Sequence, residues 1–179
     1  MKKVIQCIIL PLICVIIAAA LAFTNSVTSS VIEEREKREQ DAARMELLSE
    51  GDSFTQVTLD EAQLKELNVV DMYAADNGAG YVVQTTASGY GGPITVMTGV
   101  RSDGTVEKVR VMSSSETPGV VKKTEDESFL NQFVGKSGTL SIGSSVTAVS
   151  GATVSSRAMV EAVNSALAAV ELVKGGSGQ

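Results

Sequence analysis

The first apolar run of the chain, Val4 to Phe23, reads VIQCIILPLICVIIAAALAF and holds 20 residues without a charge. At 1.5 Å of rise per residue this length matches the hydrocarbon core of a bilayer, about 30 Å, and predicts a membrane-spanning helix. Lys2 and Lys3 precede the run, and no Lys or Arg occurs from Thr24 to Ile32. The positive-inside rule therefore puts residues 1–3 in the cytoplasm and everything after Thr24 outside it. A cleaved signal peptide ending at Ala20-Leu21-Ala22 is the rival reading. It ranks second, because the run exceeds the roughly 7 to 15 residues of a usual signal core.

Residues 24–50 read as an extracytoplasmic linker and a stalk. The segment VIEEREKREQDAARMELLSE is rich in helix formers and free of Gly and Pro until Gly51. Glu33 with Lys37 and Glu34 with Arg38 sit four apart in the favourable order of a solvated helix. Met45, Leu47 and Leu48 at its end are expected to tuck under a globular domain.

That domain is expected over residues 51–174. Phe54 to Asp71 has a mixed pattern that resolves into no single element. Short β-rich runs follow at Gly80 to Thr86, Ile94 to Val100 and Val106 to Met112, divided by Gly-rich turns. Asp103-Gly104 marks the turn between the last two, and an antiparallel meander fits all three. Phe129 to Phe133 predicts one helical turn, and Ser144 to Val149 a strand. From Ser155 to Lys174 the apolar positions Val160, Val163, Leu167 and Val170 recur at steps of three and four, which predicts an amphipathic helix with one buried face. Residues 175–179 read as a flexible tail. The expected class is α+β: a single N-terminal transmembrane helix, a helical stalk and a small domain with an antiparallel sheet and a C-terminal amphipathic helix.

Composition removes whole classes of chemistry. The chain has no His, so histidine triads and imidazole metal sites are excluded. Cys7 and Cys14, its two cysteines, both lie in the first apolar run, which leaves no thiolate elsewhere for zinc, iron–sulfur or haem. A formal charge of −6 argues against a nucleic-acid partner. No metal ligands and no catalytic side chains stand out, so any redox chemistry must come from an organic cofactor.

The stretch Ser150-Gly151-Ala152-Thr153-Val154-Ser155-Ser156 stands between the last expected strand and the amphipathic helix. A helix N-terminus presents free N–H groups and the positive end of its dipole, and Gly151 allows close backbone approach to a ligand. Arg157 could add a charge-assisted bond. By itself the pattern reads first as an ordinary helix cap, since Ser and Thr are common at N-caps and a strand-to-helix turn often uses Gly.

SGATVSS followed by a helix resembles the flavin-attachment motif of the FMN-binding domains in the G subunit of the Rnf complex and the C subunit of the sodium-pumping NADH:quinone oxidoreductase. The resemblance takes in Gly89-Tyr90-Gly91-Gly92-Pro93-Ile94, Gly99-Val100, Asp103-Gly104, Glu116-Thr117-Pro118-Gly119, Asn131-Gln132-Phe133 with Gly135-Lys136, and the membrane exit Thr24-Asn25-Ser26-Val27-Thr28. It covers most of the chain, in order. The chain departs from the family at Ser113-Ser114-Ser115, where a His often stands, and at Val120-Val121, where Leu-Gly is usual. No proton-transfer role is carried over to that loop.

The resemblance implies FMN bound covalently through a phosphoester on Thr153, with Ser150, Gly151, Ala152, Ser155 and Arg157 around the attachment and Glu116, Thr117, Gly119 and Val120 about the flavin ring. It also implies maturation by a separate extracytoplasmic flavin transferase using FAD and Mg²⁺. The expected function is that of an electron-transfer subunit in the cell membrane, working with other subunits of an Rnf-type complex that couples ferredoxin and NAD redox to Na⁺ or H⁺ translocation. A sodium-pumping quinone reductase subunit, or an independent membrane-tethered flavoprotein, would share the chemistry. A nonredox membrane-anchored binding module is the alternative of a different class.

Overall fold

The computed structural model describes residues 17–18, 40–114 and 123–176. The expected membrane helix at 4–23 lies outside the described residues apart from residues 17 and 18, which are helical, and so does the linker and first part of the stalk. Among the described residues no helix is long and apolar enough to cross a membrane. The chain divides into Met1–Ala42 and Ala43–Gln179, and the second unit holds the globular fold.

Five strands form one antiparallel sheet in chain order: β1 (Phe54–Gln56), β2 (Val69–Ala75), β3 (Gly80–Ser88), β4 (Pro93–Arg101) and β5 (Val106–Ser114). The three β-rich runs of the sequence are the central and following strands, each slightly longer than the pattern suggested. The mixed stretch from Phe54 to Asp71 contains β1, the helix α2 (Glu61–Glu66) and the start of β2. α2 is short because both its ends are locally determined. The Gln63 side chain accepts the Asp60 N–H at 3.3 Å, and Asn68 takes a left-handed φ of 51° just past the helix.

β4 reads as nearly continuously buried because both faces of the sheet are covered. On one face Val83, Ala87, Ile94, Val96, Val100 and Val109 pack against the long C-terminal helix, within a single cluster that also holds Phe129, Phe133 and Leu140. On the other, Val82, Met97 and Ala75 meet Ala43, Leu47 and Leu48. Those last three residues belong to the final turns of the helix α1, residues 40–47, and the residue after it. Leu47 and Leu48 do tuck under the sheet, as expected. Met45 does not: it points outward and is 55% exposed.

The α1 end is also tied by polar contacts. Arg44 is buried with its guanidinium 3.6 Å above the centre of the Tyr73 ring. Glu46 pairs with Lys108 at 2.5 Å and with Arg110 at 2.6 Å, both on β5.

After β5 the described chain resumes at Lys123. The turn expected at Phe129–Phe133 is α3 (Glu127–Leu130), capped by Asp126, whose carboxylate accepts the Ser128 N–H at 2.9 Å. Phe129 and Phe133 meet edge to face with ring centres 5.5 Å apart. The strand expected at Ser144–Val149 does not form. Only a single bridge, Ile142 with Val146, is present there. Side chains have taken the backbone groups a strand would pair: Gln132 Oε1 accepts the Thr147 N–H at 2.8 Å and Ser156 Oγ accepts that of Val149 at 3.1 Å.

The final helix, α4, runs from Thr153 to Gly176. It starts two residues before the apolar periodicity indicates and continues into the Gly pair assigned to the tail. Its inner face carries Ala158, Ala162, Ala166 and Ala169 beside Met159, Val163, Leu167 and Val170, all buried. The alanines let the helix lie close enough for Thr85 Oγ1 to donate to the Ala162 carbonyl at 3.0 Å.

Candidate functional site

Two parts of the fold, distant in sequence, meet at one end of the sheet. One is the β3–β4 turn, Gly89 to Gly92, closed by a bond from Gly89 N–H to the Gly92 carbonyl at 2.9 Å. The other is the N-terminus of α4. Together they line a cleft of about 420 Å³ bounded by Tyr90, Gly151, Ala152, Thr153, Val154 and Ser155.

The turn into α4 is held from within. Gly151 has φ of +78°, a left-handed conformation that a side chain would strain. The Ala152 N–H then bonds the Val149 carbonyl at 3.0 Å. Ser156 completes the turn: its hydroxyl accepts the Val149 N–H and donates to the Ala152 carbonyl at 2.9 Å. Its structural duty was not evident in the sequence.

This geometry sorts the four hydroxyls of the motif. Ser155 and Ser156 are fully buried. Ser150 and Thr153 are exposed, but only Thr153 lines the cleft. Thr153 is also the first residue of a 24-residue helix, where backbone N–H groups lack intrahelical partners and the dipole favours an anion. Ala152 is buried.

Arg157 is exposed and borders a different groove along α4, with Ile142, Val160, Glu161, Asn164 and Ser165. The cation found at the turn is Lys123, whose Nζ donates to the Ser150 carbonyl at 3.4 Å. Sequence reading did not single out Lys123, and took Tyr90 only as part of the Gly89–Pro93 stretch, a strand-entry turn as readily as a flavin contact. Tyr90 is 74% exposed and Val154 49%, so the cleft has an apolar, solvent-facing rim.

Glu116, Thr117, Gly119 and Val120 lie outside the described residues. The described residues on either side of them are both near this end of the fold. Ser114 pairs with Ile94, next to the β3–β4 turn, and Lys123 reaches Ser150.

The FMN-binding domain family matches residues 89–168, an interval that begins at the β3–β4 turn and includes Tyr90, Lys123 and the whole α4 N-terminus. An anion-favouring turn with one exposed hydroxyl in the cleft, and an exposed aromatic rim beside it, suits a ligand that is a phosphate at one end and a flat ring at the other. Among curated relatives, the G subunit of the Na⁺-translocating ferredoxin:NAD⁺ oxidoreductase complex of Acetobacterium woodii is 33% identical, over 88% of this chain and 86% of that protein. The G subunit of the ion-translocating oxidoreductase complex of Methanosarcina acetivorans is 34% identical over 88% and 89% of the two chains. Its counterpart in the proton-translocating ferredoxin:NAD⁺ oxidoreductase complex of Clostridium ljungdahlii is 29% identical over 93% and 91%. The protein therefore belongs to the family of G subunits of ion-translocating, Rnf-type oxidoreductase complexes.

Proposed function

We propose that this chain is the FMN-carrying electron-transfer subunit of an Rnf-type membrane complex, with the flavin joined through its phosphate to Thr153 Oγ. The observation that carries the reading is the accessibility of Thr153, the one motif hydroxyl both exposed and inside the cleft. The relatives, all G subunits by name, support the complex, and the FMN-binding domain match supports the cofactor.

In the loading step, Thr153 Oγ would take the FMN phosphoryl group from FAD, with AMP as the leaving group. The hydroxyl proton leaves to the transferase, which supplies Mg²⁺ and the catalytic groups. The α4 N-terminus contributes N–H donors and its dipole to the resulting phosphodiester. Tyr90 offers an aromatic face at the mouth of the cleft, and the exposed rim leaves room for an electron partner to approach. Glu116, Thr117, Gly119 and Val120 are assigned to the surroundings of the ring. The isoalloxazine supplies the electron chemistry when bound, and the protein supplies position and environment.

Attachment suits an extracytoplasmic domain, because a tethered cofactor keeps a fixed effective concentration where a dissociated one would be lost. The Val4–Phe23 segment would hold the domain at the membrane beside the other subunits. Relatives are named for sodium and for proton translocation alike, and we assign the coupled ion to partner subunits, since the apolar run holds no Asp, Glu, Lys, Arg or His for a path. The test is ferredoxin-dependent NAD⁺ reduction by membranes containing wild-type or Thr153→Ala protein. Loss of both activity and protein-bound flavin, with the chain still folded and assembled, supports the assignment. Retention of both overturns it.

A further inference from the structure

A phosphodiester between a flavin and a threonine is a strong acid and carries a negative charge at neutral pH. The α4 dipole offsets part of that charge, but a full positive charge nearby offsets more, especially where the surface is partly shielded from water. The sequence offers Arg157 for this role, and the structure places Arg157 on the edge of another groove. Lys123 is differently placed. Its Nζ lies 3.4 Å from the Ser150 carbonyl and 3.6 Å from where a Cβ on Gly151 would be, so it sits directly over the Ser150-Gly151 turn. Thr153 begins the helix only two residues beyond Gly151.

The contact with Ser150 is long, and an ammonium has more N–H donors than one carbonyl takes up. Lys123 is also exposed, so its charge beside the Ser150-Gly151 turn is carried at little cost in desolvation. Gly151, lacking a side chain, leaves the space beside the ammonium open.

We propose that Lys123 is a positioning residue for flavin attachment: its ammonium holds the flavin phosphate over the Gly151 turn, within reach of Thr153 Oγ. This rests on the reading that Thr153 carries the flavin. Lys123 takes no part in bond making. It stabilises the incoming phosphate group of FAD and, afterwards, the phosphodiester.

The test uses the full chain in detergent with purified flavin transferase, FAD and Mg²⁺. Initial flavinylation rates are followed by flavin fluorescence and intact mass for wild type, Lys123→Gln, Lys123→Arg and Thr153→Ala. Lys123→Gln is expected to slow attachment at least about fivefold at low salt, the scale of a charge-assisted bond at a surface, and Lys123→Arg to restore most of the rate. The wild-type advantage should shrink as salt is raised, because the charge is exposed. In the loaded proteins the ³¹P resonance of the phosphodiester should move in Lys123→Gln and return towards its wild-type position in Lys123→Arg. Equal rates and an unmoved resonance in Lys123→Gln would overturn the role of Lys123 alone. A flavin that still attaches in Thr153→Ala would instead overturn the underlying reading, so the two failures are distinct.

Discussion

Gly99 lies so close beneath Leu47 that a Cβ added to it would stand 2.1 Å from the Leu47 carbonyl oxygen. The contact is backbone against backbone, so neither side can yield by rotating a side chain. Gly99 is thus what allows the end of α1 to seat on the sheet. Gly99→Ala is expected to lower stability by about 2 to 4 kcal/mol, through overpacking or displacement of α1. Chemical denaturation measures the loss, and amide exchange at Ala43–Leu48 shows whether that segment lifts away. Unchanged stability and unchanged exchange would contradict the seating.

Ser156 should matter for the turn into α4 although it is fully buried. Ser156→Ala removes the acceptor of the Val149 N–H and the donor to Ala152, leaving a partly buried N–H unpaired. A loss of about 1 to 3 kcal/mol is expected, with slower flavinylation because Thr153 is less well held. Ser155→Ala serves as the comparison at an equally buried neighbour.

Two buried threonines on adjacent strands should respond in opposite ways to Val. Thr85 donates to the Ala162 carbonyl of α4, and Thr85→Val is expected to cost about 1 kcal/mol or more. Thr98 Oγ1 is buried without a hydrogen-bond partner among the described residues. Thr98→Val is therefore expected to be neutral or stabilising. Thermal midpoints of both variants decide the matter; destabilisation of the two by the same amount would refute the distinction.

Two acidic groups at the α1 contact should give opposite pH dependences. Hydrogen bonding to Lys108, aided by the charges of Lys108 and Arg110, holds the Glu46 carboxyl below its ordinary value of 4.5. Its contribution is full above pH 4.5 and fades as pH falls through the lower folded value. Because the pair is solvent-exposed, Glu46→Gln should cost only about 0.5 kcal/mol at neutral pH and nothing in acid. Burial pushes Asp71 the other way, above 3.8, and the Arg44 charge only partly opposes it. Ionised Asp71 is therefore a liability that grows as pH rises through its folded value and vanishes below 3.8, where both states are protonated. Asp71→Asn should relieve it at neutral pH, leaving a flatter stability profile across this range.

The elements legible in the sequence were those whose cause is local. The runs that became β3, β4 and β5 alternate or saturate with apolar residues, and Asp103-Gly104 marks its own turn. α4 announced its inner face through Val160, Val163, Leu167 and Val170, but its start was set by something periodicity cannot register, the Ser156 hydroxyl bonding back to Ala152. The segment Ser144–Val149 alternates like a strand, yet Gln132 and Ser156 claim its N–H groups from outside. β1 and β2 were lost in a mixed pattern because α2 interrupts it. At the candidate site, the motif singled out Thr153, and the structure puts that residue, exposed, in the cleft. Lys123 was not legible, and Tyr90 only within the Gly89–Pro93 stretch, because the fold carries both to the turn before α4, through the β3–β4 hairpin and the chain entering α3.

The most direct test of flavin attachment at Thr153 is the intact mass of the protein purified from its native membrane, with peptide mapping across Ser150 to Lys174. A mass increase equal to an FMN phosphoester, mapped to Thr153, is the expected result. An unmodified Thr153, in cells that flavinylate their other FMN-binding proteins, would contradict it.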